Sequence, residues 1–110
     1  MRVAVVGSRS LKIENIKEYL PKNTTEIISG GAKGIDTCVA SYAKNAGIVL
    51  TEIKPDYNRY KRGAPLVRNK EIVRLAEFVL IFWDGKSKGT EFVINECKNT
   101  GKKYNLIVIQ

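Results

Sequence analysis

Apolar positions along this chain change period several times, and each change marks a predicted element. Val3-Ala4-Val5-Val6 is an unbroken apolar run, as expected of a parallel strand covered on both faces. Ile13, Ile16, Tyr19 and Leu20 recur at helical spacing, and Pro21 predicts the end of that helix. Ile27-Ile28 predicts a short second strand. Ile35, Val39, Tyr42, Ala43 and Ala46 share one face of a second helix, with Gly47 as its stop. Ile48 to Ile53 predicts a third strand, whereas Lys54 to Gly63 is polar, aromatic and basic and predicts an irregular loop. Pro65 suits the first turn of a helix whose apolar face continues through Ile72, Leu75 and Ala76. Phe78 to Trp83 predicts the fourth strand. Phe92, Val93 and Cys97 line a last helix closed by Gly101, and Leu106 to Ile109 predicts the final strand. No repeat, linker or low-complexity tract interrupts this alternation. It predicts a parallel sheet with helices on both faces, in one domain covering residues 1–110.

Composition narrows the possible chemistry. Hydrophobic residues make up 44% of the 110, enough for a core without disulfides or metal. The apolar runs fall far short of the roughly 20 residues a membrane helix needs. No signal-peptide pattern follows Met1-Arg2, so a cytoplasmic protein without a membrane partner is expected. Cys38 and Cys97 lie far apart in helical segments and form no Cys-x-x-Cys pair, which predicts two buried free thiols. The chain has no histidine. That removes the usual general base, the Ser-His and Cys-His nucleophile systems and most zinc sites, and no metal site is predicted. Lys and Arg number 19 against 11 Asp and Glu, a formal charge of +8, which favours anionic partners without choosing between nucleotides and nucleic acids.

In sheets of this kind ligands sit beyond the carboxyl ends of the strands, so the loops there carry the chemistry. Gly7-Ser8-Arg9-Ser10 follows the first strand, offering a tight turn, hydroxyls and a guanidinium fork suited to phosphate. Ser29-Gly30-Gly31-Ala32-Lys33-Gly34-Ile35-Asp36 follows the second strand and opens a helix, whose free N–H groups suit an anion. It is neither a Walker loop nor the Gly-x-Gly-x-x-Gly dinucleotide fingerprint. Asp84-Gly85-Lys86-Ser87-Lys88-Gly89-Thr90 repeats the arrangement after the fourth strand. Between the two lie Tyr57, Asn58, Arg59 and Tyr60, then Arg68-Asn69 near the start of the third helix. Rings beside basic groups suit a base or sugar with a phosphate attached. Asp36 either complements its helix dipole or meets the ligand; Asp84 either starts a turn or meets it; Arg9 either reaches the ligand or is solvated.

Taken in order, the segments GSRS, SGGAKGID, PDYNRY, VRN and FWDGKSKGT resemble the SLOG superfamily. That group includes the cytokinin-activating phosphoribohydrolases, the DNA-processing proteins, and small single-domain members proposed to sense nucleotide-derived ligands. The resemblance runs through nearly the whole chain. It implies a Rossmann-like three-layer α/β sandwich with a five-stranded parallel sheet of order 3-2-1-4-5, and a homodimer. It also implies a nucleotide-type ligand, and no further cofactor, held between the SGGAKGID and DGKSKGT turns. One departure stands out. The hydrolases carry catalytic glutamates two to three residues after a PGGxGT turn, whereas here Gly89-Thr90 is followed by Glu91, Phe92 and Val93.

The expected function is therefore a nucleotide-binding or sensing module rather than an enzyme. The expected site comprises Gly7, Ser8, Arg9, Ser29, Gly30, Gly31, Lys33, Gly34, Asp36, Tyr57, Arg68, Asn69, Asp84, Gly85, Lys86, Ser87, Gly89 and Thr90. One alternative is N-glycosidic cleavage of a nucleoside monophosphate by Asp36, Asp84 or Glu91. A second is single-stranded nucleic-acid binding, which needs Lys33, Arg59, Lys61, Arg62 and Arg68 in one continuous stripe.

Overall fold

The computed structural model describes residues 1–110. Five strands, β1 (Arg2–Gly7), β2 (Glu26–Ser29), β3 (Val49–Glu52), β4 (Phe78–Trp83) and β5 (Tyr104–Val108), form one sheet. All neighbours are parallel and the order is β3-β2-β1-β4-β5. This is the Rossmann-like α/β arrangement. Helices α1 (Ile35–Ala46), α2 (Tyr57–Tyr60), α3 (Ala64–Leu75) and α4 (Lys88–Thr100) fill the connections. Both α1 and α4 end on a left-handed glycine, Gly47 and Gly101, where the sequence places their stops. No helix is long and apolar enough to cross a membrane.

The unbroken apolar strands are explained by two cores, one on each face. Along β1 and β4 alternate residues go to opposite sides. Val3, Val5, Leu80 and Phe82 pack against α1, and Ala4, Val79 and Ile81 pack against α3 and α4. A fully buried Ile or Val contributes about 1.5–3 kcal/mol, so the central strands anchor the sheet. β1 and β4, paired from Val3–Phe78 to Gly7–Phe82, leave the chain in opposite directions along the sheet. Their carboxyl ends form the switch point where a ligand crevice is expected.

The predicted first helix is not formed. Between β1 and β2 only a single 3-10 turn, Ile16–Glu18, is present. Ile13, Ile16, Tyr19 and Leu20 still cover the α1-side core, so their spacing reports burial rather than a full helix. The stretch before Pro21 is too short to repay helix nucleation, and Asn15 donates to the Glu18 carboxylate instead. The segment read as an irregular loop contains α2 and one 3-10 turn, Lys61–Gly63. Asp56, whose Oδ1 accepts the Arg59 N–H, starts it. Both cysteines are free thiols, but only Cys97 is buried and Cys38 is half-buried. Burial pushes the Cys97 thiol up to about 11. Lys102, between α4 and β5, donates its ammonium to the Ala76 carbonyl.

Candidate functional site

A cavity of about 440 Å³ lies at the carboxyl ends of β1, β2 and β4, within the usual range of roughly 300–1,000 Å³ for small-molecule sites. Four chain segments reach it: Gly7, Arg9 and Ser10 at and just beyond the end of β1; Gly30, Ala32 and Asp36 after β2; Pro65, Leu66, Arg68, Asn69 and Ile72 on α3; and Asp84, Ser87, Gly89 and Thr90 around the start of α4. The α3 set falls at spacings of three, four and seven, one face of a helix.

Hydrogen bonds tie these loops to one another. Ser8 is 1% exposed, and its Oγ accepts the Asp84 N–H at 3.1 Å and lies 3.4 Å from Thr90 Oγ1. Asp84 Oδ1 accepts the N–H groups of Lys86 and Ser87, both at 2.8 Å, and Ser10 Oγ donates to its Oδ2 at 2.8 Å. These bonds hold the Asp84 carboxylate down to about 2. Asp84 therefore builds the turn that opens α4, and Ser87 completes it by accepting the Thr90 N–H as the N-terminal cap.

The second loop is held the same way. Ser29 Oγ accepts the Gly31 N–H, and Asp36 Oδ2 accepts the Ala32 N–H at 3.0 Å. Arg68 crosses from α3 and donates Nη1 to the Gly30 carbonyl at 2.8 Å and Nε to Asn69 Oδ1 at 2.8 Å. Burial raises the Asp36 carboxyl above its ordinary value, against the Ala32 N–H and the nearby Arg68 charge. Burial likewise lowers Arg68, against the attraction of Asp36. Arg9 is near enough to Arg68 to repel it. Arg9 is exposed and lines the cavity, and its guanidinium has no hydrogen-bond or ion-pair partner in the protein. Two guanidinium groups thus share one cavity with the carboxyls of Asp36 and Asp84.

The two carboxylates predict opposite responses to acid. Asp84 is depressed, so its stabilising effect is present above the ordinary carboxyl value near 3.8 and is lost as pH falls toward about 2. Asp36 is raised, so its effect on stability is most favourable below that ordinary value and is lost as pH rises through the higher folded one. Thermal unfolding against pH is expected to show Asp84→Asn removing part of the acid-side loss. In the same series Asp36→Asn leaves the neutral-pH Tm unchanged or higher. A large neutral-pH fall for Asp36→Asn would contradict the assignment.

Several predicted site residues are placed elsewhere. Ser8 and Ser29 are buried and spend their hydroxyls on loop backbone and Thr90. Gly34 does not line the cavity, because it packs against the backbone of Arg9. Gly31 and Tyr57 line an adjoining pocket of about 310 Å³, reached past Arg9 and Arg68, which border both spaces. Gly85 and Lys86 face a different depression beside Gln110, since the Asp84 turn carries them outward. Lys33 is exposed and lines neither space. Glu91 is exposed and outside the cavity. Ser10, Ala32, Val6, Pro65, Leu66 and Ile72 line the cavity without having been singled out as site residues. The α3 members were legible once Pro65 fixed the start of the helix.

No family model, no curated protein and no solved structure matches this chain.

Proposed function

We propose that this protein binds a nucleotide in the cavity between its Gly-rich loops, with the phosphate on Arg9, as a binding or sensing module. The observation that carries this reading is the unpartnered Arg9 guanidinium bordering the same cavity as Arg68 and the first turn of α4. A guanidinium without a counter-ion, beside a second one, favours an anion. The first turn of α4 adds N–H groups and the positive end of its dipole. Arg68 is turned inward onto the Gly30 carbonyl rather than joining Arg59, Lys61 and Arg62 on the surface. That favours a pocketed ligand over a strand of nucleic acid.

N-glycosidic hydrolysis is the second reading, and one observation favours it: Asp36 lines the cavity with its carboxyl raised by burial, as a general acid requires. Against it, Asp84 is committed to three hydrogen bonds and Glu91 lies outside the cavity. Equilibrium titration with a nucleoside monophosphate and the matching nucleoside tests the binding reading, which expects only the former to bind. Incubation with AMP is expected to release no free base. Rapid release, abolished in Asp36→Asn, would replace the sensing reading with the hydrolytic one.

A further inference from the structure

We infer that α2, the turn after it and the start of α3 form a docking surface for an acidic segment of another protein. The inference does not depend on the nucleotide reading above.

The carrying observation is where the chain leaves apolar surface uncovered. Six large apolar or aromatic side chains are exposed, and four of them, Tyr57, Tyr60, Leu66 and Val67, fall within one short stretch. The other two, Val49 and Val108, stand apart on the opposite edge strands β3 and β5. Because α2 leans on the turn after it and on α3, the four belong to one region of the surface. Every residue from Asp56 to Arg62 is exposed, and neither α2 nor its turn buries a residue. The fold gains little packing from the two rings. Residues 53–63, eleven in all, connect β3 to α3, whereas the loops into α1 and α4 take five and four. Such connections usually run about two to six residues, and loops are where a compact fold meets other molecules.

The same stretch carries charge of one sign. Lys54, Arg59, Lys61, Arg62 and Lys70 are exposed and in no ion pair, and Asp56 is the one acid among them. The Asp56 carboxylate is already engaged as the cap of α2. Lys61 stands at φ +53° and ψ −128°, a turn conformation that favours glycine. It is the one non-glycine residue at positive φ, and strain of that kind gathers at functional sites. An apolar patch with a basic rim complements an acidic partner that carries apolar anchors. Tyr and Arg are also the side chains that dominate protein interfaces.

A nucleic-acid strand fits this surface less well. Stacking needs free ring faces, and the Arg59 guanidinium lies over the Tyr60 ring, 5.2 Å from its centre. Leu66 and Val67 have no π-face to offer a base. Arg68, which would extend the basic stripe, is turned inward onto the Gly30 carbonyl.

Selection of short random peptides displayed on phage against the intact protein tests this, followed by calorimetric titration of the enriched peptides at physiological salt. Those peptides are expected to carry net negative charge together with an aromatic or large aliphatic residue. Tyr60→Ala and Arg62→Glu, both checked by thermal unfolding, each weaken them about tenfold or more, as loss of an interface anchor does. Lys98→Glu, in the last turn of α4, stays within about twofold of the parent. Enrichment of no peptide, enrichment without acidic residues, or equal binding to the parent and Arg62→Glu would overturn the inference. So would oligothymidylate or phosphatidylserine vesicles that bind where peptides do not and lose affinity in the same two variants. A dimer, seen by analytical ultracentrifugation, that Tyr60→Ala dissociates would also overturn it, as an interface between copies of the chain. If a variant does not fold, the composition of the peptides selected on the parent still decides.

Discussion

Gly34→Ala is expected to lower the Tm of this protein by about 8–24 °C. Gly34 precedes α1 with φ at +75°, where L side chains are strained, and a Cβ there would stand 2.5 Å from the Arg9 carbonyl oxygen. That neighbour is backbone, so it cannot swing aside as a flexible side chain would. Strain of this type costs about 1–3 kcal/mol, and forced overpacking adds a similar amount. The sum, roughly 2–6 kcal/mol, converts at about 4 °C per kcal/mol for a domain of this length. Gly89→Ala is the matched control. Nothing lies within 4 Å of its added Cβ, and alanine is the better helix former by up to about 1 kcal/mol, so its Tm stays level or rises. The contrast is read by calorimetric unfolding of the two variants beside the parent. A fall of less than about 3 °C for Gly34→Ala would mean that the loops after β1 and β2 are not locked together.

Gly34 also illustrates what was legible in the sequence and what was not. The repeated switch of hydrophobic period from strand to helix was enough for the fold, and Phe78 to Trp83 was bounded to the residue. The likeness to a known superfamily supplied the strand order, which periodicity alone does not contain. The first helix failed because Ile13, Ile16, Tyr19 and Leu20 signal burial, and burial is met equally well by a loop with one 3-10 turn. Among the loop residues, the sequence marked which segments meet at the strand ends. It could not say which side chains face inward. Gly34 looks like a ligand-approach glycine, yet the Arg9 backbone fills its space, and Gly7, which does line the cavity, is glycine because Ile35 occupies the place of a Cβ. Ser8, Ser29 and Asp84 look like ligand groups, yet hydrogen bonds within the protein consume them. Ser29 and Asp84 serve the turns that directly follow them, the local alternative the sequence offered for Asp84, whereas the Ser8 partner, the Asp84 N–H, lies far away in the chain and no local pattern encodes it.

Arg9→Ala is expected to weaken nucleotide binding about tenfold or more while leaving Tm unchanged. The guanidinium touches no protein partner, so its loss removes nothing that holds the fold. A charge-assisted hydrogen bond to phosphate contributes about 1.5–3 kcal/mol. Because Arg9 is exposed, solvent screening places the effect near the lower end of that range. The +8 formal charge offers a rival explanation for any anion binding, namely diffuse attraction by many lysines. Lys98 and Lys103 separate the two. Both are exposed, in the last turn of α4 and the loop before β5. From the cavity end of α4, Lys98 is roughly 15 Å along the helix axis. That exceeds the Debye length of about 8–10 Å near physiological salt.

Calorimetric titration of Arg9→Ala, Lys98→Ala and Lys103→Ala with the same nucleoside monophosphate at physiological salt is therefore the most direct test of the site. A roughly tenfold or larger loss confined to Arg9→Ala, with both lysine variants within about twofold of the parent, is the predicted result. Equal losses in all three would contradict a built phosphate site and favour diffuse binding of a nucleic-acid strand.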